Sequence, residues 1–286
     1  MKIDSYAKIN IGLDVIRRLP NGYHEVRMIM QTLDLSDELV IERTDKPGIF
    51  ITTDRSDIPV NEDNLIYRAA KLLMDEFDLP GGLRVKLTKN IPVAAGLAGG
   101  SGNAAATLKA VNELFDLGLT RQQLMDRGVK IGADVPFCIM GGCALSEGIG
   151  EVLTQIPQIP ECVIVLAKPP VSVSTAYVYN HLRLDGDDHP DIDAIITAIR
   201  DGDIDKMAQS MGNLLESVTG PEHPVIGQIE RIMTDSGAAA SMMSGSGPTV
   251  FGIFKTEEQA EDAYRRLKKY DDSLELFITR RSDGRA

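Results

Sequence analysis

Residues 6–13, YAKINIGL, alternate strictly: Ala7, Ile9, Ile11 and Leu13 point one way, and Tyr6, Lys8, Asn10 and Gly12 point the other. A period of two over eight residues predicts a β-strand with one apolar face. PNGYHEV follows as a turn into a second extended stretch, and DELVIER and GIFITTD read as further strands. From Asn61 to Phe77 the period lengthens. Leu65, Ile66, Ala69, Leu72, Leu73 and Phe77 make a helical stripe, with Asn61 or Asp63 as N-cap. LRVKLTKNIPV reads as a strand ending at Pro92, followed at once by a run of small residues. Helices are predicted over 101–116, with Ala104, Leu108, Val111 and Phe115 on one face, and over 120–131.

A second block begins near residue 155, after a stretch punctuated by Gly and Pro. Its pattern predicts a strand at 162–168, then helices at about 174–183, 191–217 with a break near Asp201-Gly202, and 222–236. Strands at 239–243 and 248–254, a helix at 256–269 and a last strand at 273–279 complete it. Helices packed on a mainly antiparallel sheet accommodate that order, which makes the fold class α+β. No internal repeat or long linker interrupts the chain.

Composition narrows the function classes. With 286 residues and 43% hydrophobic content, the chain can bury a full core as one large or two modest domains. A formal net charge of -12 argues against nucleic acid as the main partner, because a phosphate backbone needs a basic face. Trp is absent and aromatics are 5%, so base-stacking platforms are lacking. The apolar runs, such as CVIVLA at 162–167, are too short to span a bilayer, and the N-terminus lacks a signal-peptide pattern. A cytoplasmic protein without a membrane partner is the expectation. Cys138, Cys143 and Cys162 lie among apolar neighbours without a CxxC pair and are expected to be buried free thiols.

Four stretches carry candidate chemistry. In NIPVAAGLAGGSGNAAA, glycines let backbone N–H groups turn toward a ligand, and the helix that follows presents unpaired N–H groups at its positive end. That combination suits phosphate, although neither GxxxxGK[ST] nor GxGxxG is present. In SYAKINIGL, Lys8 and Asn10 share the face opposite the apolar one. In GADVPFC, Asp134 sits between Gly132 and Pro136, a turn or capping position that also suits a rigidly held general base. MSGSGPTVF is a second small-residue loop feeding a strand.

Taken in order, AKIN, PVAAGLAGGSGNAAA, GADVPF and MSGSGPTVF resemble the GHMP kinases, small-molecule kinases that include homoserine and mevalonate kinases. NGYHEV, NLIYRA, GADVPFCIMGG and KPPVSVSTAYVY are similar to the branch that acts on cytidine diphosphate-linked methylerythritol, and the resemblance runs from about Lys2 to Phe277. It implies an N-terminal α/β domain like domain 2 of ribosomal protein S5, over 1–155, and a C-terminal ferredoxin-like α+β domain, over 156–286. The active site would lie in the cleft between them. ATP phosphates would rest on Pro92, Val93, Ala94, Ala95, Gly96, Leu97, Ala98, Gly99, Gly100, Ser101 and Gly102, with adenine near Asn64, Leu65, Ile66 and Lys89. By motif, Asp134 corresponds to the catalytic base and Lys8 to its catalytic partner. Tyr23 and His24 match the positions that recognise cytosine, and Tyr179 matches an aromatic that stacks on it, with Tyr177 two residues away as the other candidate. Asn10 and Thr175 would line the substrate, and Gly245, Ser246 and Gly247 would support the acceptor or γ-phosphate.

The cofactors implied are ATP and Mg²⁺ carried in with it, with no metal site of the protein's own, and the chain is expected to be a monomer or weak homodimer. A homoserine- or mevalonate-type kinase, or a non-catalytic binding protein on the same fold, would compete with this reading. One departure stands out: relatives end the loop in Ser-Ser or Ser-Thr before Asp or Asn, whereas this chain has Ser101-Gly102-Asn103. Gly102 is expected still to offer its N–H to phosphate, and Gly102→Ser to leave turnover intact and lower the ATP KM.

Overall fold

A computed structural model describes residues 1–186 and 189–284. The chain opens with two long strands, β1 (Lys2–Arg18) and β2 (His24–Thr44), then β3 (Gly48–Thr53), α1 (Leu65–Glu76) and β4 (Gly82–Thr88). Next come α2 (Gly99–Leu114), α3 (Arg121–Gly128), α4 (Val135–Met140) and the hairpin β5 (Cys143–Glu147) and β6 (Val152–Ile156). The second half holds β7 (Val163–Lys168), α5 (Thr175–His181), α6 (Ile192–Asp201), α7 (Ile204–Ser210), β8 (Gly212–Asn213), α8 (Glu216–Glu222) and α9 (Val225–Asp235). It ends with β9 (Ala240–Met243), β10 (Val250–Phe254), α10 (Glu257–Tyr270) and β11 (Glu275–Thr279).

The first sheet runs β3-β4-β2-β1-β8, with the β5-β6 hairpin attached to β2. DELVIER is therefore the far half of one 21-residue strand rather than a strand of its own. One side of this sheet buries Leu39, Ile41 and Leu83 against the apolar faces of α1 and α2. Asn64 is the N-cap of α1, its side chain accepting from Ile66 N, so the helix starts after both expected caps. β4 stops at Thr88, four residues before Pro92.

The alternation of β1 does not survive unbroken. Its pairing with β2 shifts register between Tyr6 and Lys8 and again between Asn10 and Gly12. The first shift leaves two extra residues on β2; the second places one extra residue on β1 and turns over the side chains after Asn10. Gly12 consequently faces α6, where a Cβ would meet Ile195 Cδ1 at 2.6 Å. Leu13 joins Lys8 and Asn10 on the other side. Both sides of this segment are buried: Lys8 is 4% exposed and Asn10 1%.

The second sheet has the order β11-β7-β10-β9, every neighbour antiparallel. Numbered within its own block this is 4-1-3-2 with helices after the first and third strands, the ferredoxin-like arrangement. The helical stretch expected over 191–217 does break at Asp201-Gly202, into α6 and α7, but its end is the two-residue strand β8 and the start of α8. Gly202 ends α6 in the left-handed region, and β8 pairs in parallel with Gly12 and Leu13 of β1. That pairing stitches the second block to the first sheet. The hairpin β5-β6 was not apparent in the Gly- and Pro-punctuated stretch, nor was the six-residue helix α4. Among the described residues no helix is long and apolar enough to cross a membrane.

Candidate functional site

A cavity of about 750 Å³ opens where β1, the start of β2, the loop before α2, the start of α4, α5 and the loop after β9 converge. Its lining includes Lys8, Asn10, Tyr23, His24, Ala94, Gly96, Ala98, Ser101, Asp134, Thr175, Tyr179, Gly245, Ser246 and Gly247. These segments are distant in sequence, and four of them are the candidate stretches.

The loop before α2 is shaped by alternation. Ala94, Gly96 and Ala98 have φ of +49°, +73° and +56°, so left-handed residues occur at every second position. Such alternation turns successive N–H groups toward one side and makes an anion-binding concavity. Two of the three are alanines, for which the left-handed region costs about 1–2 kcal/mol. Buried Ala95 and Leu97, part of the core, anchor the intervening positions. The first N–H of α2 with a helical partner is that of Gly102, which donates to Ala98 O at 2.8 Å. The amides before it, through Ser101, are left for a ligand at the positive end of the helix.

Gly102 itself is a correction to the sequence reading. Its N–H is already used, and a Cβ there would lie 2.6 Å from Ser5 Oγ and 3.1 Å from Tyr6 O. This position faces β1, behind the cradle. Gly96 is the glycine the architecture requires, because a Cβ would approach Ser244 O to 2.1 Å.

Lys8 ties three segments together. Its Nζ donates to Asn10 Oδ1 at 2.6 Å and to Gly96 O at 3.0 Å. Gly96 O also accepts from Ser244 Oγ at 3.1 Å. Gly245 abuts the same group, where a Cβ would stand 3.5 Å from Lys8 Nζ. The second loop is fixed from behind. Asn213 Nδ2 donates to Met243 O and Gly245 O, both at 2.8 Å, and Glu216 accepts from Met243 N. Asn213 lies in β8, which explains why that short strand matters to the site.

Asp134 occupies the N-cap position of α4, yet its side chain makes no capping bond. The carboxylate instead borders the cavity, half-buried, and Lys8 directs its ammonium to Asn10 and Gly96 rather than into an ion pair with it. Asp134 is close enough for its charge to add to the effect of burial on two neighbours. Burial first, then that charge, pushes the Tyr179 phenol well above its usual range and the Cys138 thiol up to about 12. Burial likewise takes Cys143 and Cys162 up to about 12, so the three free cysteines are inert thiols.

At the other end of the cavity the His24 and Tyr179 rings are tilted together, with centroids 5.1 Å apart. Burial, helped by the charge of Arg18, holds the His24 pKa below 6.5. Tyr23 is exposed at the rim. Thr175 Oγ1 lies 2.8 Å from Ser246 Oγ. Tyr177 points away, stacked on His181 outside the cavity, so Tyr179 is the aromatic that the structure places inside.

The segment expected near adenine does not line this cavity. Ile66 is fully buried core and presents no side chain to a ligand. Asn64 spends both ends of its amide on Ile66 N and Pro59 O. Leu65 is half-buried beside Gly100. Lys89 commits its ammonium to Asp37 Oδ2 at 2.7 Å and to Ile91 O. Pro92 is buried, and Val93, Gly99 and Gly100 flank the lining rather than form it.

Sequence reasoning missed Asp37. This fully buried carboxylate accepts from Asn90 N, Ile91 N, Lys89 Nζ and Asn103 Nδ2, and so fixes both the entrance to the loop and the first turns of α2. Nothing in DLSDELV marks it, because its partners come from 50 or more residues away. Ser244, whose partner Gly96 is 148 residues away, and Asn213 and Glu216, whose partners lie about 30 residues on, were missed because no local spacing links them to the groups they hold.

Two families match the chain: GHMP kinases N terminal domain over residues 64–142 and GHMP kinases C terminal over 195–272. A 4-diphosphocytidyl-2-C-methyl-D-erythritol kinase of Lachnospira eligens is 50% identical over 282 residues, covering 98% of this chain and 97% of its own. The enzyme of the same name from Lachnoclostridium phytofermentans is 49% identical over 281 residues, with the same coverage. A crystal structure of 4-(cytidine 5'-diphospho)-2C-methyl-D-erythritol kinase superposes with a TM-score of 0.84 at 31% identity, covering 99% of both chains. With the small-residue loop, the lysine and the carboxylate meeting in one cavity, the chain belongs to the 4-diphosphocytidyl-2-C-methyl-D-erythritol kinase family of the GHMP kinases.

Proposed function

We infer that this protein transfers the γ-phosphoryl group of ATP to the 2-hydroxyl of 4-diphosphocytidyl-2-C-methyl-D-erythritol. The observation that carries the reading is the convergence of the 94–101 loop, Lys8, Asp134 and the His24–Tyr179 pair on one cavity. Two domains, 1–155 and 156–286, would share the work, the first holding ATP and the base and the second closing the acceptor side.

The amides of the loop and of the first turn of α2 would bind the phosphates, with Ser101 alongside. Asp134 would accept the proton of the tertiary alcohol as its oxygen bonds to phosphorus and ADP departs, a contribution of about 100- to 10,000-fold. Lys8 would neutralise charge on the transferring group, since positioning and electrostatics dominate phosphoryl transfer. His24 and Tyr179 would hold the cytosine, with Tyr23 at the rim, and Thr175 and the Gly245–Gly247 backbone would keep the acceptor in line. Among the described residues no group of three or more His, Cys, Asp or Glu side chains is placed to hold a metal. Mg²⁺ arriving already liganded by the phosphates fits that donor set, and it would supply charge neutralisation on the phosphate oxygens.

The test is an acceptor panel with ATP: 4-diphosphocytidyl-2-C-methyl-D-erythritol, the same polyol without the cytidine, homoserine and mevalonate. Turnover only with the first supports the reading. Turnover of homoserine or mevalonate, or of none of the four, overturns it.

A further inference from the structure

Helix α5 rests on the core through Val178 and Tyr179 alone among its residues. Of its seven residues only Val178 is buried, and Ser174 caps its start by accepting from Tyr177 N. Yet this helix carries Thr175 and Tyr179 on the face that lines the cavity. On its outer side the Tyr177 hydroxyl donates to Glu222 Oε1 at 2.6 Å, and the Tyr177 ring stacks on His181 with centroids 3.9 Å apart. Glu222 is the last residue of α8. The same two helices also meet at the second loop. Thr175 reaches Ser246 Oγ at 2.8 Å, and Thr219 of α8 donates to Ser246 O at 3.3 Å. The contacts therefore form a triangle. Ser246 is one corner, α5 and α8 are the others, and the Tyr177–Glu222 bond closes the side that no loop contact supports.

We propose that Tyr177 and Glu222 form a latch that sets the position of α5, and through it the fit of Thr175 and Tyr179 to the cytidine end of the acceptor. Both are positioning residues, since neither lines the cavity. The geometry separates this latch from the phosphoryl-transfer end. Lys8, Asp134 and the 94–101 loop sit on β1, α2 and α4, and the second loop that also braces them through Ser244 keeps its Asn213 and Glu216 supports without the latch. Loosening α5 therefore weakens acceptor binding while leaving ATP binding and the chemical step intact. The proposal rests on the functional reading above for the identity of the acceptor.

The experiment compares wild type with Tyr177→Phe, Glu222→Ala, Glu222→Gln and the Tyr177→Phe/Glu222→Ala double variant. Acceptor KM, ATP KM, kcat and thermal stability are measured for each. The expected result is a rise in acceptor KM of about fivefold for Tyr177→Phe and for Glu222→Ala, the worth of one net hydrogen bond. The double variant should match either single one, because all three lose the same bond. Glu222→Gln, which still offers an oxygen to the phenol, should remain near wild type. ATP KM and kcat should stay within about twofold throughout, a split that general destabilisation would not produce. An unchanged acceptor KM in both single variants, additive effects in the double one, or equal losses in acceptor and ATP KM would overturn the latch. A wild type inactive on the cytidine-linked acceptor would overturn the functional reading instead, and calorimetric binding of cytidine diphosphate to the same variants would then decide the latch by the same fivefold criterion.

Discussion

Lys8 holds the loop before α2 at two successive peptide groups, its Nζ donating to Gly96 O at 3.0 Å and its backbone N–H donating to Leu97 O at 3.1 Å. β8 pairs only with Gly12 and Leu13 of β1, so at Lys8 the edge of the strand away from β2 is open to the loop. A strand residue is thereby both a cation in the cavity and a clamp on the backbone of the small-residue loop.

Lys8→Met tests the cationic role and keeps most of the buried side-chain volume. The backbone clamp remains, but Gly96 O keeps only Ser244 Oγ as a side-chain donor. Expected is a fall in kcat of about 100-fold or more, as for loss of one preorganised donor to a developing charge, with a smaller rise in ATP KM. Steady-state kinetics check it, with thermal unfolding to show that the variant is folded. A variant with wild-type kcat would remove Lys8 from the chemistry.

Gly102→Ser is predicted to be harmful in a way opposite to the expectation from the sequence. The new Cβ would crowd Ser5 Oγ at 2.6 Å and Tyr6 O at 3.1 Å, and the hydroxyl would face β1 rather than the cavity. Overpacking of this kind costs about 1–3 kcal/mol, a loss of several degrees in Tm. ATP KM should not improve. Differential scanning calorimetry beside ATP kinetics decides it, and a lower ATP KM at unchanged Tm would contradict the geometry.

Lys89→Met probes the support beneath the loop. The Lys89–Asp37 ion pair is buried on both sides, with side-chain exposures of 4% and 0%. Burial pulls the lysine pKa down and the charge of Asp37 opposes that shift. Removing one partner of such a pair costs about 3–5 kcal/mol. Asp37 would keep three donors, Asn90 N, Ile91 N and Asn103 Nδ2, which puts the loss toward the lower end of that range. Denaturant unfolding measures it; a loss below about 1 kcal/mol would mean the three remaining bonds satisfy Asp37 alone.

How far the sequence carried the site follows from where its signals are local. The alternation of YAKINIGL located β1, and the loop before α2 declared itself through its small residues and the helix behind it. The side-chain partners of that loop did not. Asp37, Ser244 and Asn213 act on backbone groups from remote segments, and no spacing rule connects Asp37 to Asn103 or Asn213 to Gly245. The register shifts in β1 were equally hidden, so Gly12 and Leu13 exchanged the faces that strict alternation assigns them. The helix predicted over 191–217 with a break near Asp201-Gly202 holds for α6 and α7 and fails only at its end, where Met211 and Leu214 beside β8 fit a helical stripe as well as a strand edge. Only the pairing of Gly212 with Gly12 across 200 residues decides between them.

His24 supplies a pH signature. Its folded pKa lies below 6.5, from burial and the charge of Arg18, so the neutral ring persists at pH 7. The sign of the linkage is that of a depressed pKa: the contribution of the neutral ring is present above 6.5 and is lost as pH falls through the lower folded value. If the neutral ring holds the cytosine beside Tyr179, acceptor KM should be flat from pH 8 to 6.5 and rise below that, while ATP KM does not follow. His24→Asn should remove the rise. A flat acceptor KM down to pH 5 in the wild type would take His24 out of recognition.

Asp134→Asn is the sharpest test of the chemistry, because the fold gives this carboxylate no structural task that an amide could not meet. It caps nothing, although it sits at the N-cap of α4. Lys8 is bonded elsewhere, so neutralising Asp134 strands no buried cation. Asn is nearly isosteric, and the neighbouring Tyr179 phenol and Cys138 thiol, pushed upward and therefore neutral, have no charge whose stability depends on Asp134. Stability should therefore stay within about 0.5 kcal/mol of wild type, the usual range for a substitution that removes no packing. Both KM values should change little, since the base acts on a proton in flight rather than on bound ground states. The entire effect should fall on kcat, by about 100- to 10,000-fold. ADP release measured with saturating acceptor reads it directly. Full turnover in a folded Asp134→Asn variant would show that the hydroxyl loses its proton without this carboxylate, and that Asp134 serves only to shape the cavity wall.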